Sequence, residues 1–125
     1  MTAPLKSYRE LTVWRDGIAL VKACYLATRA FPKDELFGLT SQIRRSAVSV
    51  PANIAEGYGR ATRQAYLNFL RIARGSLKEL ETHLVLAQRV GLAAPERTDV
   101  LLGQTDELGR MLHGLISKVQ TRSPL

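Results

Sequence analysis

One cysteine, Cys24, stands among the 125 residues, so the chain forms no internal disulfide and no thiolate metal cluster. Aromatic residues are scarce at 6%. The core must therefore be built from Leu, Ile, Val and Ala, which favours helices. Acidic residues are outnumbered as well: 11 Asp and Glu against 18 Lys and Arg leave a net charge of +7. No apolar run approaches the roughly 18 residues of a membrane span. The opening Met1-Thr-Ala-Pro-Leu-Lys6 has no apolar signal core, so a cytoplasmic protein without membrane contact is expected. The remaining balance, 23% charged and 46% apolar, is that of one globular domain with a single core.

Thirteen of the basic residues are Arg and five are Lys. The planar guanidinium suits phosphates and carboxylates through paired hydrogen bonds. With a pI of about 10.1, the chain is expected to attract anionic partners, either nucleic acid or acidic protein surface.

Hydrophobic periodicity places four helices in residues 11–121, after a polar lead-in (1–10) and before a short tail (122–125). In the first, Trp14, Ile18, Val21, Tyr25 and Thr28 form a stripe, with Val13, Leu20 and Ala27 repeating beside it. Pro32 disfavours helical geometry in Phe31 and ends this element. Asp34 is the expected cap of the second helix, which runs from Gly38 to Gly57 with Ile43, Ala47, Val50 and Ile54 as its core seam. Pro51 lacks an N–H and crowds the Ala47 carbonyl, so a bend is expected, with Ser46 and Ser49 small enough to bond freed carbonyls. Thr62 is the expected cap of the third helix, which reaches about Val90. Its seam of Tyr66, Leu70, Ala73, Leu77, Leu80, Leu84 and Ala87 is the strongest periodic signal in the chain. The fourth follows Gly91 and Pro95, with Thr98 as candidate cap and Leu101, Leu108, Leu112, Leu115 and Val119 inward. The expected fold is all-α, an antiparallel up-down-up-down four-helix bundle bent at Pro51.

The third helix has two further faces. Arg63, Arg71, Arg74 and Lys78 lie to one side of its seam, and Phe69, Ile72, Ser76, Glu79, His83, Leu86 and Val90 to the other. The partly apolar side is read either as a subunit interface or as a wide stripe meeting two helices of the same chain. From residue 44 to 74, six arginines face only Glu56 as an acid. Arg60, Arg63, Arg71, Arg74 and Lys78 are the candidate nucleic-acid contacts. Arg44, Arg45, Asn53, Glu56 and Glu79 lie beside the core seam and are the candidate structural polar network, with Arg44 or Arg45 pairing with Glu79.

No catalytic constellation emerges. His83 follows Glu79 by one turn, but further ligands at metal spacing are missing. Cys24 sits among apolar neighbours as an inert thiol. Gly57-Tyr58-Gly59 follows a helix rather than a strand and lacks the later glycine of a phosphate loop. An enzyme, a cofactor and a metal are not expected.

The pieces Leu11-Thr-Val-Trp14, Gln42-Ile43-Arg44-Arg45, Ser49-Val-Pro-Ala-Asn-Ile-Ala-Glu-Gly57 and Phe69-Leu-Arg-Ile-Ala-Arg-Gly-Ser76 occur in order. On these the chain resembles the four-helix-bundle 23S rRNA-intervening-sequence proteins. The family is related to the accessory variability protein of diversity-generating retroelements, a basic homopentamer that associates with a reverse transcriptase and nucleic acid. The resemblance implies a pentamer. With the arginine-rich surface it leads to the expectation of a non-enzymatic, oligomeric bundle that binds structured RNA or DNA without strong sequence preference; the alternative is a protein-interaction scaffold beside a nucleic-acid enzyme such as a reverse transcriptase.

Overall fold

The computed structural model describes residues 7–121. The first six residues of the lead-in and the tail 122–125 lie outside the described residues. Four α-helices account for most of the described chain: α1 (Thr12–Thr28), α2 (Leu39–Tyr58), α3 (Arg63–Arg89) and α4 (Pro95–Gln120). Each packs against its chain neighbours, and α1 also meets α4, which closes the bundle around one core. Among the described residues there is no strand.

The sequence seams of α2 and α3 are the centre of that core. Ile43, Ala47, Val50 and Ile54 from α2 are fully shielded from water, as are Leu70, Ala73, Leu77, Leu80, Leu84 and Ala87 from α3. Burying a Leu or Ile side chain contributes about 1.5–3 kcal/mol. Contacts between α2 and α3 pair late positions of one with early positions of the other. A Cβ on Gly57 would lie 2.6 Å from Phe69 Cβ, and the Ser49 and Ser76 hydroxyls are 2.8 Å apart.

In α1 the buried residues are Val13, Gly17, Leu20, Cys24 and Thr28. This corrects the expected stripe: Ile18 and Tyr25 remain 43% and 40% exposed. The reason is Gly17, where an added Cβ would sit 3.2 Å from Pro51 Cβ. The helices approach where side chains are smallest, and hydrophobicity ranking overlooks a glycine. In α4 the inward set is Thr98, Leu101, Thr105, Leu108, Leu112 and Ile116, while Leu115 and Val119 are half-buried.

Helix ends follow local chemistry, with two corrections. Thr62 caps α3 as expected, its Oγ1 accepting the Ala65 N–H at 3.1 Å. Asp34 does not cap α2; it lies in the 3-10 turn Lys33–Glu35. The neighbouring Glu35 carboxylate accepts the Leu39 N–H at 3.1 Å, using the free amides and positive end of the helix. Thr98 does not cap α4 either. Pro95 begins that helix, a position where its missing N–H costs nothing, and the Thr98 hydroxyl donates back to the Pro95 carbonyl at 3.2 Å. The α3 terminus closes with Gly91 at φ 81°; Leu92 N–H donates to Ala87 O and Gly91 N–H to Gln88 O, a Schellman motif.

Around Pro51, Ser46 donates to the Gln42 and Ile43 carbonyls. Ser49 turns across to Ser76. The expectation that both serve carbonyls freed by the proline is replaced by this arrangement. The helix runs through Pro51, whose buried ring fills the contact with Gly17.

Candidate nucleic-acid interface

The basic flank of α3 faces α4. Arg74 and Lys78 line a groove of about 490 Å3 with Leu77 between them and Thr105, Asp106, Gly109, Arg110 and His113 on the opposite wall. Arg71 lies two turns before Lys78 on the same flank, next to the groove rather than in its lining, and is half-buried, as is Arg74. The stripe is therefore a groove wall rather than an outward face. The α4 glycine Gly109 contributes by its small size: a Cβ there would come within 3.6 Å of Leu77 Cδ2.

Two carboxylates share the groove region with its cations. Lys78 Nζ pairs with Glu81 at 3.2 Å and Arg110 with Asp106 at 2.7 Å, each within one helix and with the Lys78, Arg110 and Asp106 side chains well exposed. Exposed pairs of this spacing contribute about 0.3–0.5 kcal/mol, so a phosphate can displace either carboxylate at little cost. Arg71 and Arg74 have no ion pair among the described residues. Arg71, Arg74, Lys78 and Arg110 against Glu81 and Asp106 leave the groove positive.

Two other candidates lie apart from the groove. Arg60 is tied to Glu56 at 2.9 Å and stands over the Phe69 ring at 5.0 Å. Arg63 is exposed in the first turn of α3. The five expected contacts thus divide: Arg71, Arg74 and Lys78 belong together, with Arg110 and His113 of α4 joining them. Those last two were missed because sequence spacing within one helix says nothing about which residues a second helix brings alongside.

The expected polar network does not form as one unit. Arg44 Nε donates to Thr28 Oγ1 at 2.9 Å, and its guanidinium covers the Tyr25 ring at 4.5 Å. Asn53 donates to the Ser49 carbonyl and hydroxyl at 2.8 and 2.9 Å. Ser49 in turn shares a hydrogen with Ser76. Glu56 serves Arg60. Glu79 pairs with His83 at 3.3 Å rather than with either arginine; Arg45 and Glu79 line the same crevice without reaching each other. Arg44 acts on the α1 side, and Asn53 on the α3 side through Ser49.

Burial pushes the Cys24 thiol up to about 12, which keeps it protonated and unreactive. Tyr66 is also raised, by burial and then by neighbouring Tyr58. Among the described residues no group of three or more His, Cys, Asp or Glu is placed to hold a metal ion. No helix among them is long and apolar enough to cross a membrane.

A family model described as "23S rRNA-intervening sequence protein" matches residues 9–114, which span the first three helices, most of the fourth and the groove. This chain belongs to that family. A crystal structure is similar to this intervening-sequence protein: a protein of unknown function from the S23 ribosomal protein family of Bacteroides thetaiotaomicron. It shares 25% identity with a TM-score of 0.76, covering 84% of this chain and 98% of that one. Among curated proteins, none matches this chain. No enzyme family is among these matches.

Proposed function

We propose that this protein is a non-enzymatic, oligomeric helical bundle that binds structured RNA or DNA by charge, without strong sequence preference. The observation that supports this reading most is the groove between α3 and α4, where Arg74, Lys78 and Arg110, with Arg71 on the same flank of α3, outnumber the two carboxylates near them. No Phe, Tyr or Trp lines it and His113 is its single ring, so recognition rests on phosphates rather than on a platform of stacked bases. The family description, which names an rRNA insertion, is consistent with such a ligand.

Assembly belongs to the same proposal. On the other flank of α3, Ile72, Leu86 and Val90 remain open to solvent. A cytoplasmic homopentamer through apolar faces of this kind would bring five charges of +7 together, about +35 in all. Light scattering of the purified protein tests it: five times 13.9 kDa is about 70 kDa, whereas a 13.9 kDa particle at micromolar concentration overturns the assembly.

The binding test is a gel shift with a mixed pool of RNA and DNA duplexes at low salt, about 50 mM, where phosphate contacts are strongest. Binding is expected for the wild-type chain and severe weakening for the triple variant Arg71→Ala/Arg74→Ala/Lys78→Ala. No binding at all sinks the reading, and so does a variant that binds as the wild type does.

A second reading, a scaffold for a protein partner such as a nucleic-acid enzyme, is favoured by a different surface. Between α1 and α2, Tyr25, Leu36, Phe37 and Val48 are exposed apolar residues beside Arg44 and Arg45. Arginine and aromatic residues together are enriched where proteins meet.

A further inference from the structure

The connection between α1 and α2 holds Phe37 with 93% of its surface in water, the most exposed large apolar side chain among the described residues. Phe37 and Leu36 form one edge of an open cavity of about 600 Å3, within the usual range for ligand pockets. Val48 and Tyr25 continue its apolar lining, and Arg44 and Arg45 stand at the same site. No carboxylate lines it.

Three features mark this cavity as prepared for a guest. Arg44 is held by the Thr28 hydroxyl and the Tyr25 ring, so its charge is fixed in place before any ligand arrives. Arg45 is exposed and has no ion pair among the described residues. Thr40, also in the lining, is 3% exposed, and its Oγ1 is buried without a hydrogen-bond partner. A buried hydroxyl left unpaired is uncommon, and this one belongs to a residue of the cavity lining.

We propose that this cavity receives an acidic peptide segment of a partner protein. An apolar side chain of that segment packs against Phe37 and Val48, and an adjacent carboxylate meets Arg45. The proposal rests on the second reading above and not on nucleic-acid binding. A stacked nucleobase suits the lining less well. Arg44 already covers the Tyr25 ring, Phe37 is the other aromatic in the lining, and Leu36 and Val48 are aliphatic.

The test is selection of phage-displayed random peptides on the full chain, counter-screened on Phe37→Ala and Arg45→Ala. Both side chains are exposed, so both variants keep the fold, which circular dichroism verifies. Enriched sequences are expected to place Asp or Glu within a few residues of Leu, Phe or Trp. A synthetic peptide of such a sequence should bind the wild type and lose about tenfold on either variant, the loss typical of a truncated interface anchor. The proposal is overturned if nothing enriches, if enriched peptides lack acids, or if both variants bind as the wild type does. It is equally overturned if an oligothymidylate binds the wild type and is lost with Phe37→Ala, which assigns the cavity to a base. Duplex binding measured on the same variants stays at wild-type strength, so failure here is distinguishable from failure of the nucleic-acid reading.

Discussion

The two flanks of α3 solve different problems with neighbouring residues. Toward α2 the contact is made of small groups: Gly57 beneath Phe69, and the Ser49 and Ser76 hydroxyls with Asn53 behind them. Toward α4 the contact opens into a groove walled by long cationic side chains. The first flank is fixed by shape and hydrogen bonds, with a smaller crevice beside Ser49 that Gln42, Arg45, Ser46 and Glu79 line. The second is held open, with exposed ion pairs that a competing anion can replace. Structure is concentrated on one side of the helix and binding capacity on the other.

This contrast breaks most sharply at Gly57. A methyl group there meets Phe69 Cβ at 2.6 Å and Tyr66 at 3.2 Å. Overpacking of this kind typically costs about 1–3 kcal/mol, so urea denaturation of Gly57→Ala should show a loss in that range. Wild-type stability would mean that the α2–α3 contact yields more readily than its geometry indicates. Ser49→Ala comes next. It removes a hydroxyl that serves both Asn53 and Ser76, and a loss of about 1 kcal/mol is expected by the same measurement.

On α4 the sign reverses. Nothing lies within 4 Å of a Cβ built on Gly103, so Gly103→Ala should stabilise by about 0.5–1 kcal/mol through helix propensity alone. Lys78→Ala loses an exposed pair and should change stability by no more than about 0.5 kcal/mol, while still weakening duplex binding. At neutral pH the smallest effect belongs to Cys24. Its folded-state value of about 12 lies above the ordinary 9.0. Above pH 9 the unfolded thiol ionises while the folded one does not, so this contribution is intact below pH 9 and is lost as pH rises toward 12. Thiol labelling at pH 8 should follow the rate of unfolding; fast labelling of the native protein would contradict the burial.

Much of the fold was legible because α2 and α3 carry regular apolar seams with few competing patterns. Ile43 through Ile54 and Leu70 through Ala87 are buried as the spacing implies. The first helix was misread by one position, since Gly17 has no hydrophobicity to register although it sets the closest approach to Pro51. Capping at α2 was misassigned by one residue because Asp34 and Glu35 are equally acidic and only geometry separates them. The partly apolar α3 flank proved to be internal only at its start. Phe69 and Ser76 meet α2, while Ile72, Leu86 and Val90 stay exposed.

The candidate site was legible only as a list of arginines. Which of them act together depends on pairings between helices, and these brought Arg110 and His113 to Arg74 and Lys78 while leaving Arg60 on Glu56. The exposed Phe37 gave no signal beforehand because an aromatic residue in a short connection reads equally well as a buried anchor.

The most direct test of the cationic groove is the salt dependence of duplex binding by the wild type and by Arg71→Ala/Arg74→Ala/Lys78→Ala. Each phosphate neutralised contributes about −0.9 to the slope of log K against log salt, so the triple variant should bind with a slope shallower by about 2.7. Identical slopes for the two proteins would show that the groove between α3 and α4 does not meet the phosphates.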